Sequence, residues 1–130
     1  MSDDHVIDRL FGALAGGDVA AACACFAPEA TIWHGFDAIA QTPEQAAESW
    51  NAMIAHFPER GVADVRRQPT PTGFVQQHLW TARTDDGQAM AWPVCIVVEI
   101  GGGLIVRLDE YVDRSGSFEP APGLAITPGM

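Results

Sequence analysis

Two observations in the sequence predict an α+β domain. Helical periodicities dominate the first 57 residues, and long strands joined by short turns follow them. Three N-terminal helices would pack on one face of a curved, mainly antiparallel sheet. A sheet that curls around helices leaves a cavity at its open end, and small-molecule sites are found in such cavities. The 130 residues suit one domain with its own core. Residues 1–118 are assigned to that domain. The stretch 119–130, rich in Pro and Gly and without either periodicity, is assigned to a C-terminal tail.

Between Asp4 and Ala15 the apolar residues Val6, Ile7, Leu10, Phe11 and Leu14 recur at helical spacing, and Gly16-Gly17 stop the run. Asp18 caps a second helix with Val19, Ala22 and Phe26 inward, which Pro28 breaks. Ala30 to His34 is a strand. Thr42-Pro43-Glu44-Gln45 opens a third helix with an N-cap, a Pro at the first helical position and a Gln completing a capping box. Its inward face carries Ala46, Ala47, Trp50, Met53, Ile54 and Phe57. After Gly61 come strands at 62–68, 73–83, 88–99 and 104–113, with turns at Asp86-Gly87 and Gly101-Gly102-Gly103.

The net charge is −10, with seven Arg and no Lys, so no basic patch exists for nucleic acid or anionic lipid. No apolar run approaches the roughly 18 residues needed to span a bilayer, and the N-terminus lacks a signal-peptide pattern. Cys23, Cys25 and Cys95 form an odd, unspaced set, which suits reduced thiols in a cytoplasm.

Successive side chains of a strand face opposite ways. In 104–113, Leu104, Val106, Leu108, Glu110 and Val112 form an apolar face interrupted by one carboxylate. Buried there, Glu110 would have a raised pKa and could exchange protons near neutrality. It could equally pair with an interior Arg or His, or sit at a wet rim. In 74–82, Phe74, Gln76, His78 and Trp80 share a side. If that side lines the cavity, His78 and Gln76 supply polar groups and Trp80 a flat wall; otherwise His78 is exposed or at an interface. The strand 88–99 is apolar on both faces, so one of them is expected to meet a second copy of the chain.

The run ALAGGDVAAACACFAPEATIWHG, the helix opened by TPEQ, and GLIVRLDEYVD closing the meander together resemble the SnoaL-like branch of the nuclear transport factor 2-like superfamily, which also holds ketosteroid isomerase, limonene epoxide hydrolase and scytalone dehydratase. The resemblance covers roughly residues 4–115. It implies a cone-shaped α+β barrel whose pocket does acid–base chemistry without metal or cofactor, often in a dimer. ATIWHG is similar to the isomerase strand that ends in its general base, which places His34 in that role. The isomerase's oxyanion-donating acid falls on Cys95 and its helix-one tyrosine near Leu10, so those donors are missing. LDEYVD is similar to the hydrolase segment carrying a water-activating carboxylate, which puts Glu110 there. The Arg and Asp of the preceding hydrolase strand have no match among residues 76–81.

Two functions follow. In one, the protein is a cofactor-independent enzyme on a small, largely apolar molecule, an isomerase, cyclase, dehydratase or hydrolase in type. His34 takes a proton, Glu110 or His78 orients it or protonates the product, and Ile32, Trp50, Gln76, Trp80, Cys95, Val97, Leu108 and Val112 line the pocket. In the other, the same fold binds a small molecule or a second copy without turnover. A metal site is not expected, because the spacings of His34, His56 and His78 match no ligand motif. A homodimer through the outer face of the sheet is expected.

Overall fold

The computed structural model describes residues 5–120. Helix α1 (Val6–Gly16) starts at His5, whose Nδ1 accepts the Ile7 N–H at 3.2 Å, and ends where Gly17 turns left-handed at φ +77°. Its apolar stripe is buried, each large residue contributing about 2 kcal/mol. Helix α2 (Val19–Cys23) is capped by Asp18 and is shorter than its spacing predicts. Phe26 and Pro28 belong instead to strand β1 (Phe26–His34). A proline is tolerated there because the ladder to the neighbouring strand is interrupted between Phe26 and Thr31, where a missing N–H costs no pairing.

Strand β2 (Ile39–Gln41) follows a turn that is left-handed at Ala38, φ +57°, and pairs antiparallel with β1. Three residues are too few to show a period, and the sequence reading does not contain this strand. Helix α3 (Pro43–His56) opens with the expected capping box between Thr42 and Gln45. The meander is β3 (Glu59–Pro69), β4 (Gly73–Arg83), β5 (Ala89–Gly101) and β6 (Leu104–Val112). The six strands lie in the order β2-β1-β6-β5-β4-β3. Only the β1–β6 pair is parallel. Because β2 and β3 are edges that do not pair, the cone is an open curved sheet and not a closed barrel.

Helix α1 packs on β3 and β6, and α3 on β1 and β2, around a core centred on Ile7, Ile96, Val98 and Ile105. Strand β6 does not keep one alternation. Arg107 pairs with Glu99 and Ile105 with Ile100, so Val106 is an extra residue in the ladder. Ile105, expected on the outer face, is therefore fully buried, and past the bulge the inward set is Leu108, Glu110 and Val112. The bulge brings a carboxylate inward on the strand beside β1.

A second device, unsigned in the sequence, ties the helices to the sheet. Arg60 of β3 is buried, with Nε donating to Leu14 O at 3.0 Å, Nη2 to Ala15 O at 2.7 Å and Nη1 to Phe57 O. The guanidinium gives the Ala15 carbonyl at the C-terminus of α1 a donor and adds a second to that of Leu14, which also accepts the Gly17 N–H at 3.2 Å; a cation there also suits the helix dipole.

Among the described residues no helix is long and apolar enough to cross a membrane, and the three cysteines are unpaired. Of the tail 119–130, all but Glu119 and Pro120 lies outside the described residues. Just before it, Phe118 exchanges both backbone hydrogen bonds with Ala91, which continues the edge of β5 beyond the end of β6.

Candidate active site

Between the helices and the inner face of the sheet is a cavity of about 640 Å³. Its walls are Phe11 and Leu14 of α1, Trp50, Met53 and Phe57 around α3, and Trp80, Trp92, Val94 and Val112 of the sheet. Polar groups also reach it: His34, Asp37, Gln41, Ser49, His56, Glu110 and Arg114. The volume lies within the range of small-molecule sites, and the lining of aromatic rings with a few polar groups is their usual composition.

His34 and Glu110 are partners in the parallel β1–β6 register, so their side chains leave adjacent strands at the same level. His34 Nε2 stands 3.6 Å from Glu110 Oε1, and the two side chains keep 16% and 28% of their surface exposed. Burial acts on them in opposite directions. It lowers the His34 pKa below the usual imidazole value, against a raising effect of Asp37 and with a further lowering by Arg114. It raises that of Glu110 to about 7. Near neutrality the imidazole is thus uncharged and the carboxyl still holds its proton in a good part of the molecules.

The turn after His34 fixes this pair. Gly35 N–H donates to the Glu110 carbonyl at 2.8 Å, and Ala38 N–H to the His34 carbonyl at 2.7 Å. A Cβ on Gly35 would stand 3.0 Å from the Tyr111 ring, so a larger residue requires that ring to give by a few tenths of an ångström. Trp33, between these inward positions, points outward against Tyr111, with ring centroids 5.4 Å apart. Phe36 stacks on the His34 ring at 4.9 Å, and the Arg114 guanidinium lies over the Phe36 ring at 4.7 Å. The Arg114 carbonyl in turn accepts from Trp92 Nε1 at 3.1 Å.

Of the residues expected at the site, His34, Glu110, Trp50, Trp80 and Val112 line the cavity. Ile32 and Leu108, cross-strand neighbours one step back along β1 and β6, are buried in the core behind the pair. Cys95 and Val97 lie on the opposite face of β5, since Val94, Ile96 and Val98 are its buried set. Two apolar faces give alternation nothing to choose by, and Trp92 and Val94 are the residues of β5 that reach the cavity.

His78 and Gln76 face inward but belong to the core, 3% and 0% exposed. Phe11 of α1 covers the imidazole edge-on at 4.8 Å and takes its place on the cavity wall. A chain of polar contacts holds them: Asp8 pairs with Arg67 at 2.7 Å, Arg67 Nε donates to Gln76 Oε1 at 2.8 Å, and Gln76 Nε2 lies 3.0 Å from His78 Nδ1. With its oxygen facing Arg67, the Gln76 amide donates to Nδ1, which puts the imidazole proton on Nε2. Burial, and secondarily Arg67, lower the His78 pKa to about 4.

Missed by the sequence reading were Phe36, Asp37 and Gln41, in the unassigned turn and short β2, and Arg114 beyond the last strand. Met53 and Phe57 were legible as the inner face of α3, though not as cavity walls. Among the described residues no three His, Cys, Asp or Glu side chains are grouped closely enough to hold a metal ion.

The SnoaL-like domain model matches residues 7–108. The chain belongs to the SnoaL-like family. Solved structures share the fold of this SnoaL-like protein at low identity. A hypothetical protein with a ketosteroid isomerase-like fold from Catenulispora acidiphila, in complex with trimethylamine, has a TM-score of 0.75 at 15% identity, over 88% of this chain and 89% of the other. A candidate polyketide cyclase from Xanthomonas campestris gives 0.71 at 15% identity, over 85% and 89%. A LEH-like epoxide hydrolase from M. tuberculosis gives 0.68 at 17% identity, over 83% and 80%. No curated protein matches the SnoaL-like chain.

Proposed function

We propose that this protein is a cofactor-independent acid–base enzyme acting on a small, largely apolar molecule in the cavity between helices and sheet. The observation that carries the reading is the His34–Glu110 pair, 3.6 Å apart beside an aromatic cavity, with burial favouring the neutral form of each. Neutral His34 accepts a proton from carbon or from water. Glu110 in its acid form donates a hydrogen bond or a proton to the oxygen on which charge develops. The surrounding tryptophans keep water out and strengthen both contacts. Isomerisation, cyclisation, dehydration and hydration all fit such a pair, and fold relatives described as a polyketide cyclase candidate and an epoxide hydrolase support the enzymatic reading. His78 lies behind Phe11, so proton transfer is assigned to the His34–Glu110 pair.

A binding module without turnover is the second reading. It is favoured by the position of Leu10 in the core and of Cys95 on the outer face, which leaves the isomerase-type oxyanion donors without replacements there. NMR titration separates the two. Catalysis requires His34 to titrate below, and Glu110 well above, the values of free side chains, and unshifted values for both would leave only the binding module. We further propose a cytoplasmic homodimer through the outer face of the sheet, where Val97 and Tyr111 are exposed; sedimentation analysis of Val97→Glu against the parent tests it.

A further inference from the structure

Gln41 sits on β2 opposite Ile32 of β1, so its side chain leaves the sheet on the face that carries His34, and it lines the same cavity. His34 is therefore flanked on adjacent strands, by Glu110 on β6 and diagonally by Gln41 on β2. Gln41 Oε1 is buried, and among the described residues it has no hydrogen-bond partner. The other buried side-chain atoms in that condition belong to residues that do not line the cavity. Asp37 Oδ1 accepts the Ile39 N–H at 2.9 Å, and Arg114 lies over Phe36.

A buried carbonyl oxygen without a donor is unfavourable until something supplies one, and a ligand entering the cavity is the group placed to do so. We infer that Gln41 is a specificity-determining residue, whose Oε1 accepts a hydrogen bond from a hydroxyl or N–H of the ligand about one strand step from the atom facing His34. The inference rests on the cavity being the ligand site. It narrows the ligand to an apolar frame carrying such a donor, because an analogue without one leaves the oxygen unpaired and is rejected.

Quenching of the fluorescence of Trp50, Trp80 and Trp92, which line the cavity, reports binding of three probes of one shape: 2-decalol, 2-decalone and decalin. The parent protein should bind the alcohol about tenfold or more tightly than decalin. Gln41→Met, of similar size and without the buried oxygen, should remove most of that preference, chiefly by tightening decalin binding, with a thermal midpoint no lower than the parent's. Gln41→Glu, which keeps an acceptor, should retain it. An alcohol preference that survives Gln41→Met overturns the inference and spares the proposed ligand site. A ketone preference abolished by Gln41→Met overturns the acceptor role. Failure of all three probes to bind the parent protein overturns both readings.

Discussion

Two imidazoles point inward from the sheet, and their surroundings differ in one respect that decides what each can do. His34 ends β1, beside a carboxylate and open to the cavity; His78 lies mid-strand in β4, beside an amide and sealed by Phe11. Burial lowers the basicity of both. Only His34 combines a lowered pKa with a protonatable neighbour and a route to a ligand. A depressed imidazole pKa is therefore no sign of catalysis by itself, and the partner and the access must be read from the packing.

The largest effect should come from the exposed member of the comparison. His34→Ala is expected to lower kcat/KM for any substrate found by about a thousandfold, the scale of losing a general base. The thermal midpoint should stay close to that of the parent. A variant with full turnover removes the catalytic assignment. His78→Ala should reverse the pattern. Losing the buried ring opens a cavity under Phe11 and leaves the Gln76 amide short of a partner, costing about 2–4 kcal/mol in denaturant unfolding. At temperatures where the variant is folded, kcat/KM should stay within about tenfold of the parent's. A stable but inactive His78 variant would move the chemistry to the core histidine.

Glu110 gives a test in which pH is the variable. Its folded-state pKa of about 7 exceeds the ordinary 4.5, so between those values the native state binds more protons than the unfolded chain. The native state is thus favoured by this group below pH 4.5, and that advantage is lost as pH rises to about 7. Glu110→Gln, which cannot ionise, should be more stable than the parent at pH 8 by up to about 3 kcal/mol, the difference falling to near zero at pH 4. In activity, the parent should show a maximum between the lowered His34 pKa and about 7, with a falling alkaline limb that Glu110→Gln lacks. A flat stability difference across that range would place Glu110 in a solvated site with an ordinary pKa.

The local signals in the sequence account for much of this arrangement. The capping box at Thr42, the Gly17 stop and the strand alternation around Glu110 each act within a few residues, and each is where the spacing puts it. What the sequence hides depends on partners far along the chain. The bulge at Val106 exists only relative to β5, the inner face of β5 is chosen by the helices it meets, and His78 is closed off by a phenylalanine 67 positions away. The Arg60 clamp is equally silent, since an arginine's three carbonyl partners leave no pattern in its own strand.

Gly35 offers the smallest and most local test, because it bears on how the His34–Glu110 pair is held and not on what the pair does. Its N–H bonds the Glu110 carbonyl, and Tyr111 occupies the space a Cβ would need. Tyr111 is 48% exposed, which gives its ring room to turn, so Gly35→Ala should cost no more than about 1 kcal/mol in stability. The ring's displacement from Trp33 should register as a change in tryptophan fluorescence. If strand alignment sets the 3.6 Å separation, activity should fall more than stability does, by about tenfold, and Gly35→Ala combined with Tyr111→Ala should recover it. Recovery by the double variant identifies the glycine as the residue that lets β1 close on β6. A loss that persists would instead locate the constraint in the turn that carries Phe36 against the His34 ring.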